Sequence, residues 1–127
     1  EKIGMYVDSL DGRRNIAKLK AVIKKVLEDC YKLDSIGLDH GELSRMPKHV
    51  IVGNKITIID FESSSMKRRV SNVTSATQAF YIGSRISKTV SRIYKIPKKE
   101  KIISALRSYK QDQNKENFES LLNVLKL

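Results

Sequence analysis

Apolar residues recur at two different periods in this chain, and the change of period divides it. From residue 13 to 36 they fall at Ile16, Leu19, Ile23, Val26 or Leu27, Cys30 and Leu33. Steps of three and four residues put these side chains on one stripe of a long helix, which Gly37 is suited to end. Over residues 37–62 the period shortens. A polar, charged loop from Asp39 to Lys48 leads into two β-branched runs, VIV and ITII, split by Gly53-Asn54. A Gly-Asn pair between such runs predicts a hairpin, because both residues accept positive φ.

The helical period then returns. Asn72 is placed to cap a helix over residues 73–93, with Ala76, Phe80, Ile86, Val90 and Ile93 on one face. Pro97 suits the first turn of the next helix, over residues 98–109, which buries Ile102, Ile103 and Leu106. The polar stretch 111–114 precedes a last helix carrying Phe118, Leu121, Leu122 and Leu125. Residues 1–12 read as a short lead-in ending in a turn at Asp11-Gly12. The pattern predicts one domain over residues 1–127, mainly α with a small β-hairpin, an α+β fold.

Composition narrows the function. A chain of 127 residues supports a single modest core. No apolar run approaches the roughly 20 residues of a membrane helix, so no membrane partner is expected. Cys30, the single cysteine, cannot form an internal disulfide and falls on the apolar stripe, which points to a core residue and a reducing cytoplasm. Lys and Arg number 25 against 14 Asp and Glu, a formal charge of +11. Such an excess attracts polyanions, whether nucleic acid, nucleotide phosphate or acidic protein.

The middle segment carries the chemistry. HGEL at 40–43, then VIV, then IIDFE at 58–62 resemble the catalytic and metal-binding loops of the protein-kinase superfamily, H-R-D-L-x-x-x-N and D-F-G. The wording is most similar to small atypical Ser/Thr kinases of the RIO type and to predicted archaeal kinases with HGELS, KHVIV and IIDFE. The resemblance covers most of residues 1–95 and implies a kinase-like C-terminal lobe, with residues 1–12 resembling the hinge segment. No G-x-G-x-x-G loop or V-A-I-K strand is present, so the N-terminal lobe is expected to be missing and the chain to have little activity alone.

That resemblance implies ATP and Mg²⁺ as cofactors and a protein as substrate. Asp60 matches the metal-binding Asp; without the family it is a strand-end acid capping a turn. Glu42 stands in place of the catalytic Asp, one methylene longer, and is otherwise a solvated loop acid. His40 implies a brace between the two loops. Gly41 replaces the motif's Arg, which removes the usual pairing with a phosphorylated segment. The metal-binding Asn has no direct match. Counting forward from His40 puts Pro47 there, and aligning back from VIV puts His49 there. A neutral His is a poor Mg²⁺ ligand; His49 is either a phosphate donor or a packed loop residue. Ser44 and Arg45 either occupy the part of the loop that faces the transferring phosphoryl group, as the resemblance implies, or are solvated loop residues, and Lys48 is suited to meet a phosphate. Glu62 either adds a carboxylate near the metal or pairs with Arg68 or Arg69. Two other readings compete: a basic helical nucleic-acid-binding module, and a pseudokinase scaffold for which Pro47 is the best argument.

Overall fold

A computed structural model describes residues 1–10 and 15–127. The turn expected at Asp11-Gly12 and the predicted helix start at Arg13 lie outside the described residues. In chain order the elements are helices α1 (Ile3–Ser9) and α2 (Ile16–Ile36), a short 3-10 helix (Leu43–Lys48), strands β1 (Val50–Val52) and β2 (Ile56–Ile58), then helices α3 (Asn72–Tyr81), α4 (Arg85–Ile93), α5 (Lys99–Gln111) and α6 (Lys115–Val124). The fold is mainly helical with one two-stranded antiparallel sheet.

Helix α2 is the spine. Its stripe of Leu19, Ile23, Val26, Leu27 and Cys30 is fully buried, and each large aliphatic contributes about 1.5–3 kcal/mol relative to exposure. Leu33 is only partly buried; the inward position at that end belongs to Asp34. Gly37 ends the helix in the left-handed region (φ 79°), and its N–H donates to the Asp34 carbonyl. Cys30 sits in the core, and burial pushes its thiol pKa well up, which makes it inert.

Several expectations change. Residues 3–9 form a helix instead of an irregular lead-in, because Ile3 and Val7, four apart, bury together. The hairpin forms in the register Val50↔Ile58, Ile51↔Thr57 and Val52↔Ile56, but neither Gly53 nor Asn54 takes positive φ. Three residues, 53–55, make the connection, closed by the Gly53 N–H on the Lys55 carbonyl, so the tight two-residue turn is not required. The single helix expected over 73–93 is two, broken at Gly83 (φ 69°), with Ser84 and Ser87 exchanging side-chain and backbone hydrogen bonds at 2.9 Å to start α4. Its apolar face survives the break: Ala76, Phe80, Ile86, Val90 and Ile93 are all buried. Pro97 lies before the first turn of α5, since Lys98 is the cap residue, and Ile103 is only partly buried, the core position passing to Tyr109. The last helix buries Phe118, Leu121, Leu122 and Leu125.

Asn72 is not a helix cap either. It is the first residue of α3, and its side chain turns inward. Asp34 there accepts four hydrogen bonds, from the Asn72 backbone N–H (3.0 Å) and side-chain amide (2.9 Å), the Val73 N–H (3.4 Å) and the Tyr109 hydroxyl (2.6 Å). One carboxylate thus ties α2, α3 and α5 together. Burial raises its pKa, and these hydrogen bonds oppose the rise.

Candidate functional site

The loop leaving α2 is anchored to that knot. Asn72 donates to the Leu38 carbonyl (2.7 Å) and accepts from the His40 backbone N–H (2.8 Å). Asp39, nearly buried, accepts from Arg68 Nε (2.6 Å) and the Ser71 N–H (3.0 Å), so the segment after the hairpin is clamped to the loop before it. Arg68 also donates to the Ser63 carbonyl, and Arg69 donates to the Lys110 carbonyl. Glu62 is exposed and pairs with neither arginine among the described residues, because Asp39 and backbone carbonyls have taken them.

Gly41 (φ 94°) allows this close packing. A Cβ there would lie 2.8 Å from the Ser63 carbonyl oxygen and run into the Arg68 guanidinium. Any side chain would cost both strain and a clash.

His40 is fully buried and links the two acidic segments. The Ile59 carbonyl can only accept, so Nε2 carries the proton and donates to it (2.8 Å), while Nδ1 accepts from the Glu42 N–H (3.2 Å). The ring packs edge-on against Phe61, centroids 4.8 Å apart, and against His49 at 5.3 Å. One neutral imidazole therefore fixes the backbone at Glu42 and at the residue before Asp60.

Three side chains converge beyond it. The 3-10 helix buries Leu43 and Met46 and delivers His49, which is 5% exposed, to the mouth of the hairpin. The Ile59 N–H donates to the His49 carbonyl (2.8 Å), holding the two strand ends together. The Arg45 carbonyl accepts from His49 Nδ1 (3.0 Å), which leaves Nε2 facing Glu42 Oε2 at 3.6 Å and Asp60 Oδ2 at 3.4 Å. Asp60 stands just past β2 in the left-handed region (φ 63°), a conformation that Asp tolerates and that turns its half-exposed carboxylate back toward His49. One ligand atom from each of Glu42, His49 and Asp60 lies within 4.8 Å of the others.

The two residues that the resemblance offers in place of its metal-binding Asn lie in different surroundings. Pro47 is exposed and packs beside Gly4, away from the acids; His49 is the residue that reaches them. Ser44, Arg45 and Lys48 are exposed on the outer side of the 3-10 helix. Among the described residues none of their side chains bonds to the cluster, and Arg45 acts through its carbonyl. Lys48 lines a separate shallow groove with Gly4, Pro47 and Arg85. The clamp formed by Asp34, Asp39 and Asn72 carries no sequence signal of its own, since its partners lie 29 to 75 residues apart.

Two carboxylates and an imidazole can hold a divalent cation. The oxygens suit Mg²⁺, which binds through one or two carboxylates plus phosphate and water, whereas the imidazole nitrogen does not. No described helix is long and apolar enough to cross a membrane. No family model matches the chain. Over 90 residues it is 32% identical to the uncharacterized protein MJ1211 of Methanocaldococcus jannaschii, a match spanning 71% of this chain and 74% of that protein. At that identity and coverage, the chain belongs to the family of this Methanocaldococcus protein.

Proposed function

We propose that this chain is the C-terminal lobe of an atypical Ser/Thr protein kinase, transferring the γ-phosphoryl group of ATP to a protein hydroxyl. The observation that carries the reading is that Glu42 and Asp60, 18 residues apart in HGEL and IIDFE, are brought to one point and braced through His40. Phosphoryl transfer asks little covalent chemistry of the protein and depends on positioning and charge.

In this reading Glu42 accepts the proton of the attacking hydroxyl and orients it. Its backbone is held by His40, and its carboxylate reaches one methylene further than that of Asp. Asp60 is the metal-side acid, with Mg²⁺ supplying charge neutralisation at the phosphates when bound. Arg45 and Lys48 are exposed on the outer side of the 3-10 helix, and in this reading they must swing round to meet nucleotide phosphates. The N-terminal lobe that closes over the nucleotide is the partner this reading requires.

The test is Mg²⁺-ATP autophosphorylation by the natural full-length protein, wild type beside Glu42→Ala and Asp60→Ala. Loss in both variants, by about 100-fold or more, supports the reading. Transfer surviving Glu42→Ala removes the base assignment. No transfer by the wild type removes the enzyme; nucleic-acid affinity falling steeply with salt would then favour the basic module.

A further inference from the structure

We infer that Glu42, His49 and Asp60 form a three-ligand site for a zinc-class divalent transition ion, which it prefers over Mg²⁺. Four features of the cluster carry this. The first is the donor set: an imidazole nitrogen with two carboxylate oxygens favours Zn²⁺ and similar ions, while Mg²⁺ seeks an all-oxygen shell. The second is spacing. His49 Nε2 stands 3.6 and 3.4 Å from the two carboxylate oxygens. Those gaps are too long for charge-assisted hydrogen bonds of about 2.8 Å. These two are close to the edges, about 3.0 to 3.4 Å, that donors span around an ion bound at about 2.1 Å. With all three ligand atoms within 4.8 Å of one another, a bound ion would draw the two carboxylates together.

The third feature is the support behind the ring. His49 is buried, and its Nδ1–H donates to the Arg45 carbonyl, so the other nitrogen is turned to the acids. This is the outer-shell hydrogen bond that metal-bound histidines characteristically make. The fourth is access. Glu42 and Asp60 are 29% and 47% exposed, which leaves one side of the site open to water and to an entering ion.

The inference shares Glu42 and Asp60 with the proposed phosphoryl transfer and has a consequence for it. With all three donors on one ion, Glu42 is not free to take a proton. A zinc-class ion therefore competes with the transfer reaction instead of supporting it.

The experiment is calorimetric titration of the natural protein with Zn²⁺ and with Mg²⁺, without nucleotide, for wild type and Asp60→Ala. Zn²⁺ is expected to bind one site about 100-fold more tightly than Mg²⁺, and that advantage to collapse in Asp60→Ala. Asp60 is half-exposed and makes no good hydrogen bond, so Asp60→Ala strains only the backbone at φ 63°. Nitrogen-15 imidazole spectra of the wild type supply a second readout that needs no variant. The chain has two histidines, so the signals separate readily. Zn²⁺ should shift His49 Nε2 strongly and leave the His40 nitrogens in their neutral, hydrogen-bonded pattern. Equal affinity for the two ions, or an unshifted His49, overturns the inference. Tight Zn²⁺ binding in a protein with no phosphotransfer keeps it while removing the proposed function. Mg²⁺-dependent transfer with no Zn²⁺ preference does the reverse.

Discussion

Two acidic sites, Asp34 and the pair Glu42 and Asp60, are built in opposite ways. At the first, Asp34 is nearly buried and accepts four hydrogen bonds from three residues on two other helices. At the second, Glu42 and Asp60 are partly exposed, and among the described residues their side chains face only His49, at distances too long for good hydrogen bonds. Asn72 and His40 join them in series: Asn72 donates to Asp34 and accepts from His40, and His40 holds the backbone on both sides of the acid pair. The satisfied carboxylate makes the fold rigid where the loop departs. The unsatisfied pair is what that rigidity presents to solvent. Buried polar groups that find every partner contribute to stability, and solvent-facing groups positioned by a rigid backbone are placed to meet a ligand.

The sharpest way to break this contrast is to remove the satisfied acid. Asp34→Ala leaves buried donors on Asn72, Val73 and Tyr109 without an acceptor, and should cost about 3–5 kcal/mol in urea unfolding. Asp39→Ala removes the acceptor of Arg68 and of the Ser71 N–H and should cost about 2–3 kcal/mol. A loss under about 1 kcal/mol in either variant would mean that the clamp is not holding the loop. Asp60→Asn, by contrast, removes one of two neighbouring like charges, breaks no good hydrogen bond and keeps a residue that accepts φ 63°. Unfolding free energy without added ions should move by no more than about 0.5 kcal/mol, in either direction.

The smallest effect concerns pH. Burial holds the Asp34 pKa above its unfolded value, so the folded state takes up the proton more readily. The associated stability is complete below the unfolded value of about 3.9 and is lost as pH rises through the raised folded value. Asp34→Asn has no such proton to lose. Wild-type stability should therefore fall relative to Asp34→Asn as pH rises through that window. A difference that stays flat would show the carboxyl to be unperturbed.

Much of this was legible in the sequence, for definable reasons. The stripe of α2, its stop at Gly37 and the two strands follow from periodicity, which is local. The acids of HGEL and IIDFE were visible as a motif, and the hairpin between them brings their ends together. The break at Gly83-Ser84 was missed because the buried face of residues 76–93 stays in register across it. Helix α1 was missed because it is too short for a periodic signal and has no side-chain cap. Pro47 and His49 could not be separated by counting, since the choice depends on how the 3-10 helix turns. Asp34, Asp39 and Arg68 give no local sign of their roles, which are set by partners brought together only by the fold.

The most direct measurement is ligand-linked stability of the natural protein, wild type beside Asp60→Ala, with and without a divalent ion and ATP. Ligands at about 100 times their dissociation constant should stabilise the wild type by about 2.7 kcal/mol and leave Asp60→Ala unmoved. Equal stabilisation of both proteins, or none in either, would contradict the claim that the unsatisfied acid pair is a ligand site.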